Sequence, residues 1–225
     1  MDNLKNVSNM HIIIFAGGTV QSGSAVSTAI ATAEIVIAAD SGAATALQYG
    51  CIPALVVGDF DSLDPAVLQQ LIVYGSEIRR VTAEKDETDT ELAILAAIER
   101  GATTITLLGW SGGMRFEHTI ANLLLLADIT TVPIRIADSD STGWLLRGPV
   151  RERLAGQVGD LLSLLPLTGA ATGVRTAGLY YPLQGETLHF GKPRGISNVF
   201  TQETAEVFLQ EGLLLLIHTQ TNSHG

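Results

Sequence analysis

Short apolar runs alternate with helical patterns through the first part of the chain, and this alternation constrains the fold most. Predicted strands occupy residues 11–15, 35–39, 54–57, 78–81, 105–108 and 134–136; four are largely apolar, whereas 78–81 and 134–136 also contain arginine. The segments between them carry Ala and Leu at helical spacing. Continuously apolar strands that alternate with helices are typical of a mostly parallel sheet covered on both faces. We therefore predict an α/β domain over residues 1–138.

The pattern changes after about residue 140. Glycines recur at short intervals, and strand-length pieces lie between and after them. Short strands with frequent turn signals favour an antiparallel sandwich or barrel. A polar stretch at 138–141 marks the predicted boundary. We therefore predict that residues 139–225 form a C-terminal antiparallel β-sandwich or barrel.

Charge and composition exclude several classes of protein. With 46% hydrophobic and 16% charged residues, the 225-residue chain has a globular composition. Its 13 basic and 23 acidic residues give a net charge of −10 without a basic stripe, so we expect no nucleic-acid or membrane partner. The apolar runs are far shorter than the roughly 18 residues that span a bilayer. The single cysteine, Cys51, excludes an intrachain disulfide and favours a reducing, cytoplasmic setting.

Acidic residues concentrate between residues 59 and 91, and several follow predicted strands directly. In open parallel α/β sheets, ligands bind outside the carboxyl ends of the strands. Asp59 and Asp61 follow the third predicted strand, and an extended backbone would point both side chains the same way. Paired carboxylates attract Mg²⁺, but acids here are also explained as turn and helix-cap residues, such as Asp64 before Pro65. The sequence leaves both interpretations open.

A second acidic group follows the fourth predicted strand. Thr88 and Glu91 have the spacing of a capping box, which places Asp89 in the first turn of a helix, where the helix dipole favours acids. Capping does not explain Lys85 or Asp86. A lysine at a strand-to-helix turn is suited to holding a phosphate, so capping and phosphate binding are both retained as interpretations.

Two further motifs are weaker when taken alone. The glycine-rich stretch at 109–118 follows the fifth predicted strand, and its backbone N–H groups could bind an anion at the start of a helix. Arg115 could add a bidentate phosphate contact there. The stretch does not match the phosphate-binding P-loop pattern. The Gly-Ile-Ser-Asn sequence at 195–198 alone predicts a turn.

Taken together, these motifs resemble those of the thiamine pyrophosphokinase family. They occur in that family's order and approximate spacing, and the resemblance extends from about residue 11 to 217. The motifs that carry it are Asp40-Ser41-Gly42, Gly58-Asp59-Phe60-Asp61-Ser62, Lys85-Asp86-Glu87-Thr88-Asp89-Thr90-Glu91, Arg115-Phe116-Glu117-His118-Thr119-Ile120-Ala121-Asn122 and Gly195-Ile196-Ser197-Asn198.

The resemblance implies an activity and an assembly. Enzymes of this family transfer a pyrophosphoryl group from ATP to the hydroxyl of thiamine, giving thiamine diphosphate and AMP, with Mg²⁺. The N-terminal α/β domain would be the ATP- and Mg²⁺-binding catalytic domain, and the C-terminal sandwich would bind thiamine. The resemblance also implies a homodimer, with active sites where the α/β domain of one subunit meets the sandwich of the other.

The resemblance further implies roles for individual residues. The metal-site carboxylates would be Asp59, Asp61 and Asp89. Contacts with ATP and its phosphates would come from Asp40, Lys85, Thr88, Arg115 and Glu117. The thiamine pocket would include Ser197 and Asn198. The residues with catalytic roles would be Asp61, Asp86, Asp89 and Arg115, with Asp86 and Asp89 as the two candidates to accept the hydroxyl proton.

The chain departs from the family's pattern at three places. Ser41 stands where the family usually has Gly, Glu117 stands where it usually has Asp, and Met114 lengthens the glycine loop before Arg115. Thiamine carries a cationic thiazolium ring, for which an aromatic wall is suited, so Trp110 or Trp144 is a candidate, with a role in the core or an interface as the alternative.

Two alternative functions use the same features. The acidic residues would also serve another Mg²⁺-dependent nucleotide phosphohydrolase. The altered loop before Arg115 would also fit a non-catalytic homologue that binds thiamine or a nucleotide. Formation of AMP only in the presence of thiamine distinguishes the kinase from both.

Overall fold

The computed structural model describes residues 9–82, 84–113 and 115–221. Its contacts divide the described chain into two compact units. The first unit holds residues up to Val20 together with Thr28–Ile134, and the second holds Gln21–Ser27 and the residues from Arg135 onward. The division falls a few residues before position 138, where the sequence predicted it.

The segment Gln21–Ser27 belongs to the second unit because its polar groups bind two aspartates there. The backbone N–H of Gln21 donates to Asp138 Oδ1 at 2.9 Å, and that of Ser24 donates to Asp140 Oδ1 at 2.7 Å. No local signal predicts that this segment belongs to the second unit, because the bonds join positions more than a hundred residues apart.

The first unit contains a five-stranded parallel sheet. Its strands are β1 (His11–Phe15), β2 (Ile35–Ala39), β3 (Leu55–Gly58), β4 (Glu77–Arg80) and β5 (Thr104–Leu108), in the order β5-β1-β2-β3-β4. The helices are α1 (Ser24–Ala31), which crosses the division between the units, α2 (Gly42–Gln48), α3 (Pro65–Val73), α4 (Asp89–Glu99) and α5 (Phe116–Asp128). Most residues of the central strands β1 and β2 are buried, and the parallel sheet with its helices confirms the predicted α/β architecture.

The second unit contains two antiparallel sheets. Its strands are β6 (Ile134–Asp138), β7 (Ser141–Arg147), β8 (Val150–Ala155), β9 (Leu161–Pro166), β10 (Ala170–Ala177), β11 (Gln184–His189), β12 (Asn198–Val199), β13 (Thr204–Leu209) and β14 (Leu213–Thr219). One sheet has the order β12-β9-β14-β7-β6, and the other has the order β11-β10-β13-β8.

Residues from both antiparallel sheets share one core. Leu162, Leu164 and Leu216 of the first sheet belong to the same buried cluster as Val174 and Val207 of the second. Buried and half-buried positions alternate along β9 and β13, as expected for strands with one face on a core. The predicted antiparallel β-sandwich is confirmed. Within the described residues, no helix is long and apolar enough to cross a membrane.

Candidate active site

A cleft of about 470 Å³ opens at the carboxyl ends of the five parallel strands. Residues that follow each of the five strands line this cleft. These include Gly17 and Gly18 after β1, Asp40 and Ser41 after β2, Asp59, Asp61 and Ser62 after β3, Lys85, Thr88 and Asp89 after β4, and Gly109, Trp110, Arg115 and Asn122 after β5. The cleft therefore lies where parallel α/β sheets bind ligands.

Three aspartates meet inside this cleft. Asp40, Asp59 and Asp61 each offer a carboxylate oxygen, and these oxygens all lie within 4.8 Å of one another. Asp40 is buried, Asp59 is half-buried and Asp61 is exposed. Asp40 Oδ2 accepts a hydrogen bond from the Ser62 hydroxyl, whereas Asp40 Oδ1 is buried without a hydrogen-bond partner. An unpartnered buried oxygen beside two other carboxylates is suited to coordinate a hard cation.

Asp40 reaches the cluster through a close approach between two loops. Its backbone N–H donates to the carbonyl oxygen of Val57 at 2.9 Å, and its own φ is 44°. Gly58 lies beside it, where an added Cβ would be 3.0 Å from the Cβ of Asp40. A side chain at position 58 would therefore require a shift of a few tenths of an ångström at Asp40.

The predicted extended backbone at Asp59 and Asp61 was wrong. Phe60 between them has φ 62°, in the left-handed region, so the chain turns there. The backbone N–H of Asp61 donates to Asp59 Oδ1 at 3.1 Å and closes this turn. The two carboxylates converge because the backbone turns at Phe60, and not because side chains repeat every second residue in a strand.

The structure confirms the capping interpretation of the group after β4, whereas phosphate binding by Lys85 stays a prediction. Thr88 caps α4 by accepting the backbone N–H of Glu91 at 3.1 Å. Lys85 Nζ lies 2.5 Å from Asp89 Oδ1, and both side chains are largely buried in the cleft. Asp89 thus pairs with a lysine, while the cluster of three acids contains Asp40 instead. Asp86 does not line the cleft.

Arg115 and Glu117 face each other at the start of α5. Arg115 Nε donates to Glu117 Oε1 at 2.9 Å, and both side chains are mostly exposed. A hydrogen bond from its own backbone N–H, followed by the bond from Arg115, lowers the pKa of Glu117. Arg115 lines the cleft and Glu117 does not. Met114, the additional residue of this loop, lies outside the described residues.

The two tryptophans occupy different surroundings. Trp110 lines the cleft, and its carbonyl oxygen accepts a bond from Asn122 Nδ2 at 2.8 Å. Trp144 packs against the core of the second unit, with the Arg135 guanidinium over its ring. Of the two aromatic candidates, Trp110 is the one that the structure brings to the cleft.

Several cleft residues received no role from the sequence. Gly17, Gly18, Ser62 and Asn122 line the cleft, and Ser62 binds Asp40 directly. Their position immediately after predicted strands, or within quoted motifs, is the signal that could have identified them.

The motif at 195–198 lies in the second unit. Ser197 is exposed and has φ 55°, and its backbone N–H donates to Ser163 Oγ at 3.0 Å. Asn198 is buried, and its amide binds both backbone groups of Tyr181, accepting from the N–H at 2.9 Å and donating to the carbonyl at 2.7 Å. Asn198 therefore holds the loop at Tyr181, while Ser197 faces solvent.

Comparison with known proteins gives a consistent result for both units. The family model described as thiamin pyrophosphokinase, catalytic domain, matches residues 26–137. The model described as thiamin pyrophosphokinase, vitamin B1 binding domain, matches residues 151–214. Together the two matches span more than half of the chain.

Individual relatives agree with the family models. Thiamine pyrophosphokinase of Bacillus subtilis is 26% identical over 185 residues, which cover 81% of this chain and 86% of that protein. The crystal structure of the B. subtilis enzyme is similar with a TM-score of 0.82, covering 93% of this chain and 99% of that chain at 26% identity. The crystal structure of thiamin pyrophosphokinase from Geobacillus thermodenitrificans is similar with a TM-score of 0.79, covering 95% of this chain and 99% of that chain, also at 26% identity.

Proposed function

The chain belongs to the thiamin pyrophosphokinase family, and from that premise we propose that it transfers the pyrophosphoryl group of ATP to the hydroxyl of thiamine. The products are thiamine diphosphate and AMP. The observation that carries the proposal is the cleft at the carboxyl ends of the parallel strands, where three aspartates meet Lys85 and Arg115. That arrangement combines oxygen ligands for a cation with cationic groups for phosphates.

Mg²⁺ fits the acidic cluster. Asp40, Asp59 and Asp61 would hold it, since the buried Asp40 Oδ1 has no hydrogen-bond partner and hard cations prefer carboxylate oxygens. A Mg²⁺ ion held by these carboxylates would offset the negative charge of the phosphates. Asp89 stays a predicted ligand on the same cleft, and it would join the cluster once Lys85 turns from it to a phosphate.

The phosphates of ATP would be bound by three residues that line the cleft. Lys85 supplies a point charge, Arg115 supplies a planar guanidinium, and Thr88 lies at the start of α4, where backbone N–H groups favour anions. Glu117 orients Arg115 through their ion pair. Phosphoryl transfer depends chiefly on positioning and charge stabilisation, so these contacts supply most of the catalysis.

A proton must leave the thiamine hydroxyl during the transfer. Asp89 lines the cleft and Asp86 does not, so Asp89 is the better supported acceptor. A dissociative transition state needs little help from a base, so the acceptor contributes less than the phosphate contacts.

We place thiamine at Ser197 and Asn198 in the active site of a homodimer, where the α/β domain of one subunit meets the sandwich of the other. Large exposed apolar side chains on each unit support a subunit contact. Phe116 and Leu124 are exposed on α5, and Tyr180 and Tyr181 are exposed in the second unit. Sedimentation equilibrium at several protein concentrations tests the dimer. A cytoplasmic location stays a prediction.

Product analysis tests the proposed activity. The full chain is incubated with ATP and Mg²⁺, with and without thiamine, and the products are identified by mass spectrometry. We expect AMP and thiamine diphosphate in equal amounts, and only when thiamine is present. Release of AMP or ADP without thiamine would indicate a nucleotide hydrolase. Thiamine binding without any product would indicate a non-catalytic homologue.

A further inference from the structure

Arg80 contacts the turn that brings Asp59 and Asp61 together. It is the last residue of β4, which pairs with β3 so that Arg80 lies opposite Gly58. Its Nη1 donates to the carbonyl oxygen of Asp59 at 2.7 Å. Its guanidinium carbon also lies 4.8 Å from the centre of the Phe60 ring. One side chain therefore holds two consecutive residues of the turn.

The turn needs such support because of its backbone conformation. Phe60 has φ 62°, which is rare for a bulky residue and persists only where surrounding contacts impose it. Phe60 is buried, with 8% of the residue exposed, and the guanidinium lies over its ring in a cation–π contact. The hydrogen bond to the Asp59 carbonyl fixes the peptide that precedes Phe60.

The charge of Arg80 is directed only to this turn. Within the described part of the chain, no carboxylate lies within ion-pair distance of Arg80. Its neighbour Arg79 behaves differently, because its guanidinium nitrogens lie 3.1 Å from Glu99 and 3.6 Å from Glu77. Arg79 is part of a surface ion-pair network, whereas Arg80 binds the backbone and ring of the acidic motif.

We propose that Arg80 is a positioning residue that preorganises Asp59 and Asp61 for a divalent cation by holding Phe60 in its left-handed conformation. The inference rests on the proposed function insofar as the three aspartates form its metal site. Without Arg80, Phe60 would also sample conformations with φ below zero, in which the turn closed by the Asp61 N–H and Asp59 Oδ1 is lost and the carboxylate oxygens no longer lie within 4.8 Å of one another. Cation binding would then have to restore the turn, so the affinity for the cation would fall.

The test measures cation binding directly. Mn²⁺ alone is titrated into the full chain, and free Mn²⁺ is followed by electron paramagnetic resonance. We expect Arg80→Ala to weaken Mn²⁺ binding about tenfold, which corresponds to the loss of one moderately strained backbone conformation. Arg80→Lys keeps a donor for the carbonyl but has no planar group for the ring, so its affinity should be intermediate. Arg79→Ala is the matched control and should bind Mn²⁺ as the wild type does.

Kinetics separate positioning from a general structural role. For Arg80→Ala, the Mg²⁺ concentration that gives half-maximal thiamine diphosphate synthesis should rise about tenfold, while kcat at saturating Mg²⁺ stays within about twofold of the wild-type value. A lower unfolding temperature with unchanged Mn²⁺ affinity would overturn the proposal. A loss of kcat that Mg²⁺ does not restore, or an equal loss in Arg79→Ala, would also overturn it.

The variant Asp61→Asn distinguishes failure of the proposed metal site from failure of the proposed role of Arg80. If it loses Mn²⁺ binding while Arg80→Ala keeps it, the metal site stands and only the role of Arg80 is refuted. If Asp61→Asn binds Mn²⁺ as the wild type does, the metal site and the role of Arg80 fail together. If the wild-type chain makes no thiamine diphosphate but the Mn²⁺ affinities follow the expected order, the role of Arg80 is supported and the proposed reaction is refuted.

Discussion

Replacing Asp40 with Asn should stabilise the protein without metal and weaken its response to Mg²⁺. Asn has nearly the same shape and tolerates the positive φ of this position. Its carbonyl can still accept the bond from Ser62, and its amide replaces the unpartnered Oδ1. The variant has no charge at this position, so the repulsion of Asp59 and Asp61 by Asp40 is lost.

The magnitude follows from the geometry of the cluster. At 4.8 Å, two like charges repel by about 0.9 kcal/mol in the dielectric of water and by about 3.5 kcal/mol at an effective dielectric of 20. Asp61 is exposed, so the interaction lies in the lower half of that range. Removing the charge of Asp40 relieves two such pairs, or about 2 to 4 kcal/mol. For a chain of this size, we expect Tm to rise by about 5 to 10 °C in EDTA.

Mg²⁺ should stabilise the wild type more than it stabilises Asp40→Asn. At a Mg²⁺ concentration about 100 times the wild-type Kd, the ligand stabilises the wild type by about 2.7 kcal/mol. Loss of one of three carboxylates should raise Kd at least about tenfold, which leaves the variant about 1.4 kcal/mol at the same concentration. Thermal melts in EDTA and across a Mg²⁺ series measure both effects.

Asp64→Asn is the matched control for this prediction. Asp64 caps α3 by accepting the backbone N–H of Ala66 at 2.8 Å, and Asn is an equally good cap. This variant removes a nearby charge without touching the cluster, so both Tm and the Mg²⁺ response should stay close to the wild-type values. The reasoning is refuted if Asp40→Asn melts below the wild type in EDTA and still gains the full stabilisation from Mg²⁺.

Three further substitutions test other parts of the molecule. Lys85→Met should lower kcat/KM for ATP about 100-fold, because it removes a charge-assisted phosphate contact and leaves Asp89 unpaired. Steady-state kinetics with ATP varied measure this effect. A decrease of less than about threefold would contradict the prediction. Ser197→Ala should raise the KM for thiamine more than the KM for ATP, and equal changes in both would argue against a thiamine-side role. Burial raises the pKa of Asp160, but hydrogen bonds from the Gln157 N–H, His218 and the Thr221 N–H outweigh it and leave the pKa below its ordinary value. A lowered native pKa contributes stability that is fully present above the unfolded pKa of about 3.9 and is lost as the pH falls through the native pKa. Asp160→Asn should therefore lower Tm at pH 7 and make Tm fall less steeply below about pH 4. The same fall of Tm in the variant and the wild type between about pH 7 and pH 2 would count against this.

The order of strands and helices was predictable because the signals that set it are local. The apolar residues of β1 and β5 indicate that these strands are buried, whichever strand lies beside them. The turn between Asp59 and Asp61 was not predictable in the same way. Its left-handed residue depends on Arg80, which lies twenty residues further along the chain on a neighbouring strand. Local sequence favours an extended conformation for Phe60, and the tertiary contact overrides that preference.

The membership of the acidic cluster depended on strand order. Asp40 and Asp89 both follow strands, so the sequence could not rank them by distance from Asp59. In the structure, β2 lies directly beside β3, and Ala39 is paired with Val57. Asp40, which follows β2, and Gly58, the last residue of β3, are therefore brought together. Asp89 is the first residue of α4, after the loop that follows β4, and its carboxylate forms an ion pair with Lys85.

Ser197 and Asn198 belong to one motif, but their side chains have different surroundings. The side-chain oxygen of Asn198 accepts two backbone N–H groups, and its amide nitrogen donates to the carbonyl oxygen of Tyr181. Replacing Asn198 would leave these buried backbone groups unpaired, so any loss of thiamine binding would also include a disturbed loop. Ser197 is exposed, with only its backbone N–H engaged by Ser163. A substitution at Ser197 therefore tests ligand binding, whereas a substitution at Asn198 tests the loop that presents it.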